Sequence, residues 1–129
     1  MKKLLLLVTS LSLLVTACGT LDPAGPYEGN KVAYTYDLAI TTCADVVEAF
    51  LTWEKSNRAL LLVQAPEAVA AAKKIRVEYP VWSKSAAALS KAYQSVPSKE
   101  TETQLVAAIR VLRQMMIESQ SYMTRATGV

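Results

Sequence analysis

The chain has 129 residues, with 14 lysines and arginines against 11 aspartates and glutamates, a formal net charge of +3 and no histidine. Without histidine, and with only two cysteines, it lacks the residues of the usual metal sites and nucleophile–base pairs, and it has no glycine-rich phosphate loop. We therefore predict that the protein is not an enzyme and has no metal or other cofactor, and the lack of a basic block predicts no nucleic-acid binding.

The N-terminus has the layout of an export signal. Lys2 and Lys3 form a positive tip, residues 4 to 15 form an apolar run, and the sequence Val-Thr-Ala-Cys follows at residues 15 to 18. The apolar run is short for a membrane span, which needs about 20 apolar residues. The four residues that end at Cys18 resemble the lipobox of bacterial lipoproteins. An ordinary signal peptide and an uncleaved anchor are the alternatives.

The resemblance implies that residues 1 to 17 are a signal peptide and that Cys18 becomes the lipidated first residue. In that family the thiol receives a diacylglyceryl group, and the mature N-terminus carries three acyl chains of the palmitate type. Each buried methylene contributes about 0.8 kcal/mol, so three chains would attach the protein to membrane lipid effectively permanently. Gly19 stands where inner-membrane lipoproteins usually carry aspartate, which implies the periplasmic face of the outer membrane.

Residues 18 to 30 are predicted to form the lipidated N-terminus and a linker. Three glycines and two prolines among residues 19 to 30 prevent a helix or a central strand. As a flexible coil, these twelve residues span roughly 20 Å, which would keep a domain at residues 31 to 129 near the membrane. Loss of Lys2 and Lys3 with the signal leaves 12 lysines and arginines against 11 carboxylates, a formal charge of +1.

Three long helices are predicted after the linker. Between residues 30 and 128 the chain has no glycine and only three prolines, and apolar residues recur in steps of three and four, the period of an amphipathic helix. The predicted helices cover about residues 31 to 63, 66 to 96 and 99 to 125. The predicted core positions are Tyr36, Ala39, Ile40, Cys43, Val46, Val47, Phe50, Trp53, Asn57, Leu60 and Leu61 in the first helix, Val69, Ala72, Ile75, Tyr79, Trp82, Ala86, Leu89, Tyr93 and Val96 in the second, and Leu105, Ala108, Ile109, Leu112, Met115, Met116, Ser119, Tyr122 and Met123 in the third.

Pro80 lies inside the second predicted helix, where a proline removes one backbone hydrogen bond and clashes with the carbonyl of Arg76. Because the apolar pattern continues in phase across it, we expect one kinked helix, with a break near residues 78 to 82 as the alternative. Ser98 is a good N-cap for the third helix. Three helices of similar length joined by short corners predict an all-α, antiparallel three-helix bundle.

A candidate partner-binding patch lies late in the first helix. Trp53 and Asn57 share one face at i,i+4, while Glu54 and Arg58 share the adjacent face. Tryptophan and arginine are the residues that most often anchor protein interfaces, so these four side chains predict a recognition patch near the first corner. The alternative is a surface ion pair beside a core tryptophan, with Asn57 fixing the helix register.

Cys43 would be the single thiol of the mature protein, and its place in the apolar pattern predicts a buried side chain. An intermolecular disulfide is the alternative, since the periplasm is oxidising. Together these features predict a lipid-anchored binding module for another envelope protein. Two alternatives are a structural lipoprotein that self-associates and a helical bundle that binds a small ligand or lipid between its helices.

Overall fold

The computed structural model of the protein describes residues 31 to 126, and these form three α-helices. They are α1 (Lys31–Gln64), α2 (Pro66–Ser95) and α3 (Lys99–Ala126). Each helix packs against both others, so the predicted all-α three-helix bundle is confirmed. None of the helices in this range combines the length and the apolarity needed to cross a membrane. The predicted signal peptide, Cys18 and the linker lie outside the described residues.

The first corner consists of one residue. Ala65 separates α1 from α2; its backbone N–H donates to the carbonyl of Leu61 at 2.7 Å, and its own carbonyl accepts from the N–H of Ala68 at 3.0 Å. Pro66 takes the first position of α2, where the missing N–H costs no helical hydrogen bond. So short a connection makes α1 and α2 antiparallel neighbours.

The second corner ends in the predicted N-cap of α3. The Ser98 hydroxyl accepts from the backbone N–H of Thr101 at 3.1 Å and donates to the Thr101 hydroxyl at 2.8 Å. Glu100 and Glu102 lie in the first turn of α3 and Arg125 in its last turn, where they complement the helix dipole. These features confirm the predicted start and end of α3.

α2 runs without a break through Pro80, so the alternative of two shorter helices is wrong. An interior proline costs about 3 kcal/mol or more of helix stability. Ile75 before it and Ala86 after it are both buried against the other helices, because the apolar period stays in phase on either side. Packing along the whole length of α2 offsets the lost hydrogen bond.

The core follows the predicted period, with corrections of two kinds. Ala33, Ala68, Ala71 and Ser90 are buried although they were not predicted as core positions. Leu60, Trp82 and Val96 were expected in the core but are exposed, and Glu54 is completely buried although it is charged. Leu60 is exposed because its neighbour Leu61 occupies the core at this turn of α1. Val96 is exposed because it lies beyond the end of α2. The fully buried large side chains include Phe50, Val46, Val47, Leu105 and Leu112.

Candidate functional site

The predicted patch is built around the carboxylate of Glu54, which has no exposed surface. Arg58, one turn later on α1, donates from Nε to Oε1 at 2.8 Å and from Nη2 to Oε2 at 3.1 Å. Arg76 of α2 also donates from Nη2 to Oε2, and the same nitrogen donates to the carbonyl of Leu51 at 3.1 Å. One buried carboxylate thus holds two guanidinium groups and joins α1 to α2.

The two arginines neutralise the buried charge and keep it ionised. Hydrogen bonding from Arg58 lowers the pKa of Glu54 below its ordinary value; burial opposes this, and Arg76 adds to the lowering. Carboxylates that accept charge-assisted, bidentate hydrogen bonds are the strongest-bound acceptors in proteins. The side chains of Arg58 and Arg76 are themselves 47% and 33% exposed, so the cluster extends from a buried carboxylate to the protein surface.

This arrangement predicts a loss of stability in acid. A carboxyl group whose pKa is lowered by folding stabilises the protein above its unfolded pKa, here near 4.5, and that contribution is lost as the pH falls through the folded pKa. In urea unfolding from about pH 7 to about pH 2, we expect the native chain to be more stable than Glu54→Gln at neutral pH and the difference to shrink in acid. A difference that does not depend on pH would contradict this expectation.

Trp53 and Asn57 lie on another flank of α1. The Trp53 ring is half-buried against the core, with its centroid 6.0 Å from that of Phe50. The Asn57 side-chain amide donates to the Trp53 carbonyl at 2.8 Å, within its own helix. Since Trp53 and Arg58 are five residues apart, they point about 140° away from each other around α1. The structure therefore joins Glu54 to Arg58 and places Trp53 and Asn57 apart from them. Partner binding by any of the four stays a prediction.

Arg76 is the member of this cluster that the sequence analysis missed. It is 22 residues from Glu54 in the chain, and only the antiparallel pairing of α1 with α2 brings the two together. One signal was available: residues equally far from the corner at Ala65 face each other in a hairpin, and Glu54 and Arg76 each lie 11 residues from it. That symmetry places an acid opposite a base.

No family model matches the chain, and neither a curated protein nor a solved structure is similar to it.

A second polar cluster closes the opposite end of the bundle. The hydroxyls of Tyr36 on α1 and Tyr93 on α2 donate to the two carboxylate oxygens of Glu102 on α3, at 2.9 and 3.2 Å. The two rings meet edge to face with centroids 5.9 Å apart. Burial, followed by the hydrogen bond to Glu102, raises the pKa of Tyr36. The cluster ties together one residue from each helix, which stabilises this end of the bundle.

Two clefts each lie between a pair of neighbouring helices. A cleft of about 300 Å³ between α1 and α3 has the buried thiol of Cys43 and the side chain of Arg113 in its lining. Burial raises the pKa of Cys43, which keeps the thiol protonated and weakly reactive. A second cleft of about 560 Å³ lies between α2 and α3 beside Trp82. In the described part of the chain, no three side chains of the metal-ligating types lie together.

Proposed function

We propose that this protein is a lipid-anchored binding module of the bacterial envelope. In this proposal, acylated Cys18 holds it on the periplasmic face of the outer membrane, and the outer surface of α1 and α2 contacts another envelope protein. The anchoring is supported by the resemblance of residues 15 to 18 to a lipobox. The binding is supported above all by Arg58 and Arg76, two partly exposed guanidinium groups fixed on one buried carboxylate.

A fixed arginine is a better binding group than a mobile one. A long side chain that is immobilised on binding loses about 0.5 to 1.5 kcal/mol of conformational entropy, and Arg58 is already held by two hydrogen bonds. Glu54 has the role of holding both guanidinium groups, and it does not itself reach a partner. Trp53 and Asn57 would contact only a partner that also covers the other flank of α1.

Site-specific photo-crosslinking tests the proposal in intact cells. A photoreactive amino acid at Leu62, which is 56% exposed and one turn beyond Arg58, is expected to join the full-length lipoprotein to one discrete envelope protein. The matched control is the same amino acid at Lys91, which is exposed on α2 about 20 Å from Arg76. Adducts that are absent, or that are the same from both positions, would contradict a partner at this surface.

The two alternatives have less support. Self-association through a Cys43 disulfide would require the core to open, because the side chain of Cys43 is only 1% exposed. Small-ligand sites usually enclose 300 to 1,000 Å³ and bury most of the ligand. The cleft beside Cys43 lies at the lower limit of that range, and the cleft beside Trp82 lies within it but is largely open to solvent, so it would not bury most of a ligand. Neither alternative uses the two ordered guanidinium groups.

A further inference from the structure

Cations outnumber carboxylates in the half of the α1–α2 hairpin nearest the first corner. Residues 48 to 80 carry five lysines and arginines against four carboxylates. One of the four carboxylates is Glu54, which is buried beneath the arginines. The other charged groups of this half are therefore five cations and three carboxylates, whereas the rest of the mature chain carries seven of each sign.

Basic side chains surround the two arginines. Lys55 precedes Arg58 by three residues, and Lys73 precedes Arg76 by three residues, a spacing that puts neighbours on one helix face. Both lysines are exposed. Four cations thus lie on the adjoining faces of α1 and α2. Within residues 31 to 126, the buried Glu54 is the only carboxylate that forms a salt bridge with any of them.

Both guanidinium groups keep donors for a ligand. Within residues 31 to 126, Nη1 of Arg58 and both Nε and Nη1 of Arg76 donate to no protein acceptor. In that range, every buried side-chain nitrogen or oxygen of a residue that is not itself exposed has a hydrogen-bond partner. The unpaired donors of Arg76 are therefore not buried and reach the surface. Guanidinium groups present their donors in a planar arrangement that matches a carboxylate.

Apolar surface continues from the arginines to the corner. Leu62, one turn beyond Arg58, is 56% exposed, and Val63 is 83% exposed. Arginine is enriched at interface centres, and the exposed apolar side chains beside it add a surface that a ligand with charge alone would not need. The occupant should therefore bring both carboxylates and apolar side chains.

We propose that the basic face of α1 and α2, with Arg58 and Arg76 at its centre and Leu62 at its edge, binds an acidic protein segment. A carboxylate of the segment is bound by the free guanidinium donors, and an apolar side chain of the segment packs on Leu62. This inference rests on the proposed function, and it adds the chemical class of the partner.

The position of the face along the bundle favours a protein over a lipid headgroup. Arg58 lies 27 residues after the start of α1, which is about 40 Å along the helix. The proposed anchor precedes α1 in the chain, so this length of helix separates Arg58 from the end of the bundle that follows the anchor in sequence. In this proposal, a bundle held by its N-terminal end presents the basic face away from the bilayer.

Nuclear magnetic resonance of the arginine side chains tests the inference. The mature lipidated chain in a nonionic detergent is titrated with a short capped peptide of alternating glutamate and leucine, while the Nε–H signals of all five arginines are followed. We expect saturable shifts for Arg58 and Arg76 and small shifts for Arg110, Arg113 and Arg125. The same peptide with glutamine in place of glutamate is expected to produce no shift.

Two variants make the result specific. Arg58→Lys keeps the charge but removes the planar donors, so we expect the peptide to bind about tenfold more weakly. Arg110→Lys, on an exposed part of α3, should leave the affinity unchanged. Equal shifts of all five arginines, no shift at all, or equal binding by Arg58→Lys would overturn the inference.

The competing ligand class is tested in the same experiment. If vesicles containing phosphatidylglycerol shift Arg58 and Arg76 as strongly as the acidic peptide does, the face binds anionic lipid and the inference is wrong. A discrete envelope adduct at Leu62 without any response of the arginines to the peptide would keep the binding module and reject the acidic class. The two proposals can therefore fail separately.

Discussion

Replacement of Arg76 with alanine is expected to lower the free energy of unfolding by about 2 kcal/mol. The variant leaves the carboxylate of Glu54 buried with only Arg58 to balance it, and removing one partner of a buried pair is costly because the other charge stays in the core. Because Arg76 is one-third exposed and Arg58 remains, the loss falls below that of a fully buried pair. Thermal unfolding should show a melting temperature lower by about 10 °C.

Two comparisons separate this effect from a general loss of charge. Arg110→Ala removes an exposed arginine from α3 and should change stability by less than about 0.5 kcal/mol. Arg76→Met should be less stable than the double variant that also has Glu54→Met, because paired apolar replacements remove the unbalanced charge. If Arg76→Ala were no less stable than Arg110→Ala, the cluster would have no role in joining α1 to α2.

The helices could be predicted closely from sequence because their boundaries depend on local chemistry. Pro66 suits the first helical position and predicted the start of α2, and the Ser98 cap predicted the start of α3. The same spacing of three and four residues that predicted the helices also selected most of the buried side chains, among them Phe50 and Leu112.

The candidate site could be predicted only in part, because Glu54 and Arg58 lie on α1 whereas Arg76 lies on α2. The pairing of Glu54 with Arg58 follows from one turn of α1, whereas Arg76 joins them only after the hairpin has formed. A periodic pattern of apolar residues also assigns charged residues to the surface, and so it could not predict that Glu54 is buried. The burial depends on two cations that neutralise the carboxylate, which is a property of the folded pair of helices.

Replacement of Cys18 with serine is expected to abolish acylation and to release the protein from the membrane. Serine has no thiol to receive the diacylglyceryl group that the lipobox resemblance implies, so no acyl chains would hold the chain in the bilayer. Incorporation of radioactive palmitate should fall to background, and fractionation should show loss of the mature protein from the outer membrane. Palmitate incorporation by Cys18→Ser would contradict the assignment of the anchor.

Cys43→Ser is the matched control, because Cys43 is the only other cysteine and its side chain is buried in the folded domain. This variant should incorporate palmitate and fractionate as the native protein does. The released bundle of Cys18→Ser should still bind the acidic peptide with unchanged affinity, since Arg58 and Arg76 belong to the folded helices and Arg58 lies about 40 Å from the start of α1. It should nevertheless lose its crosslink at Leu62 in cells, because anchoring acts by raising the effective concentration of the bundle near its partner. Loss of peptide binding together with the anchor would instead mean that the lipidated N-terminus forms part of the binding surface.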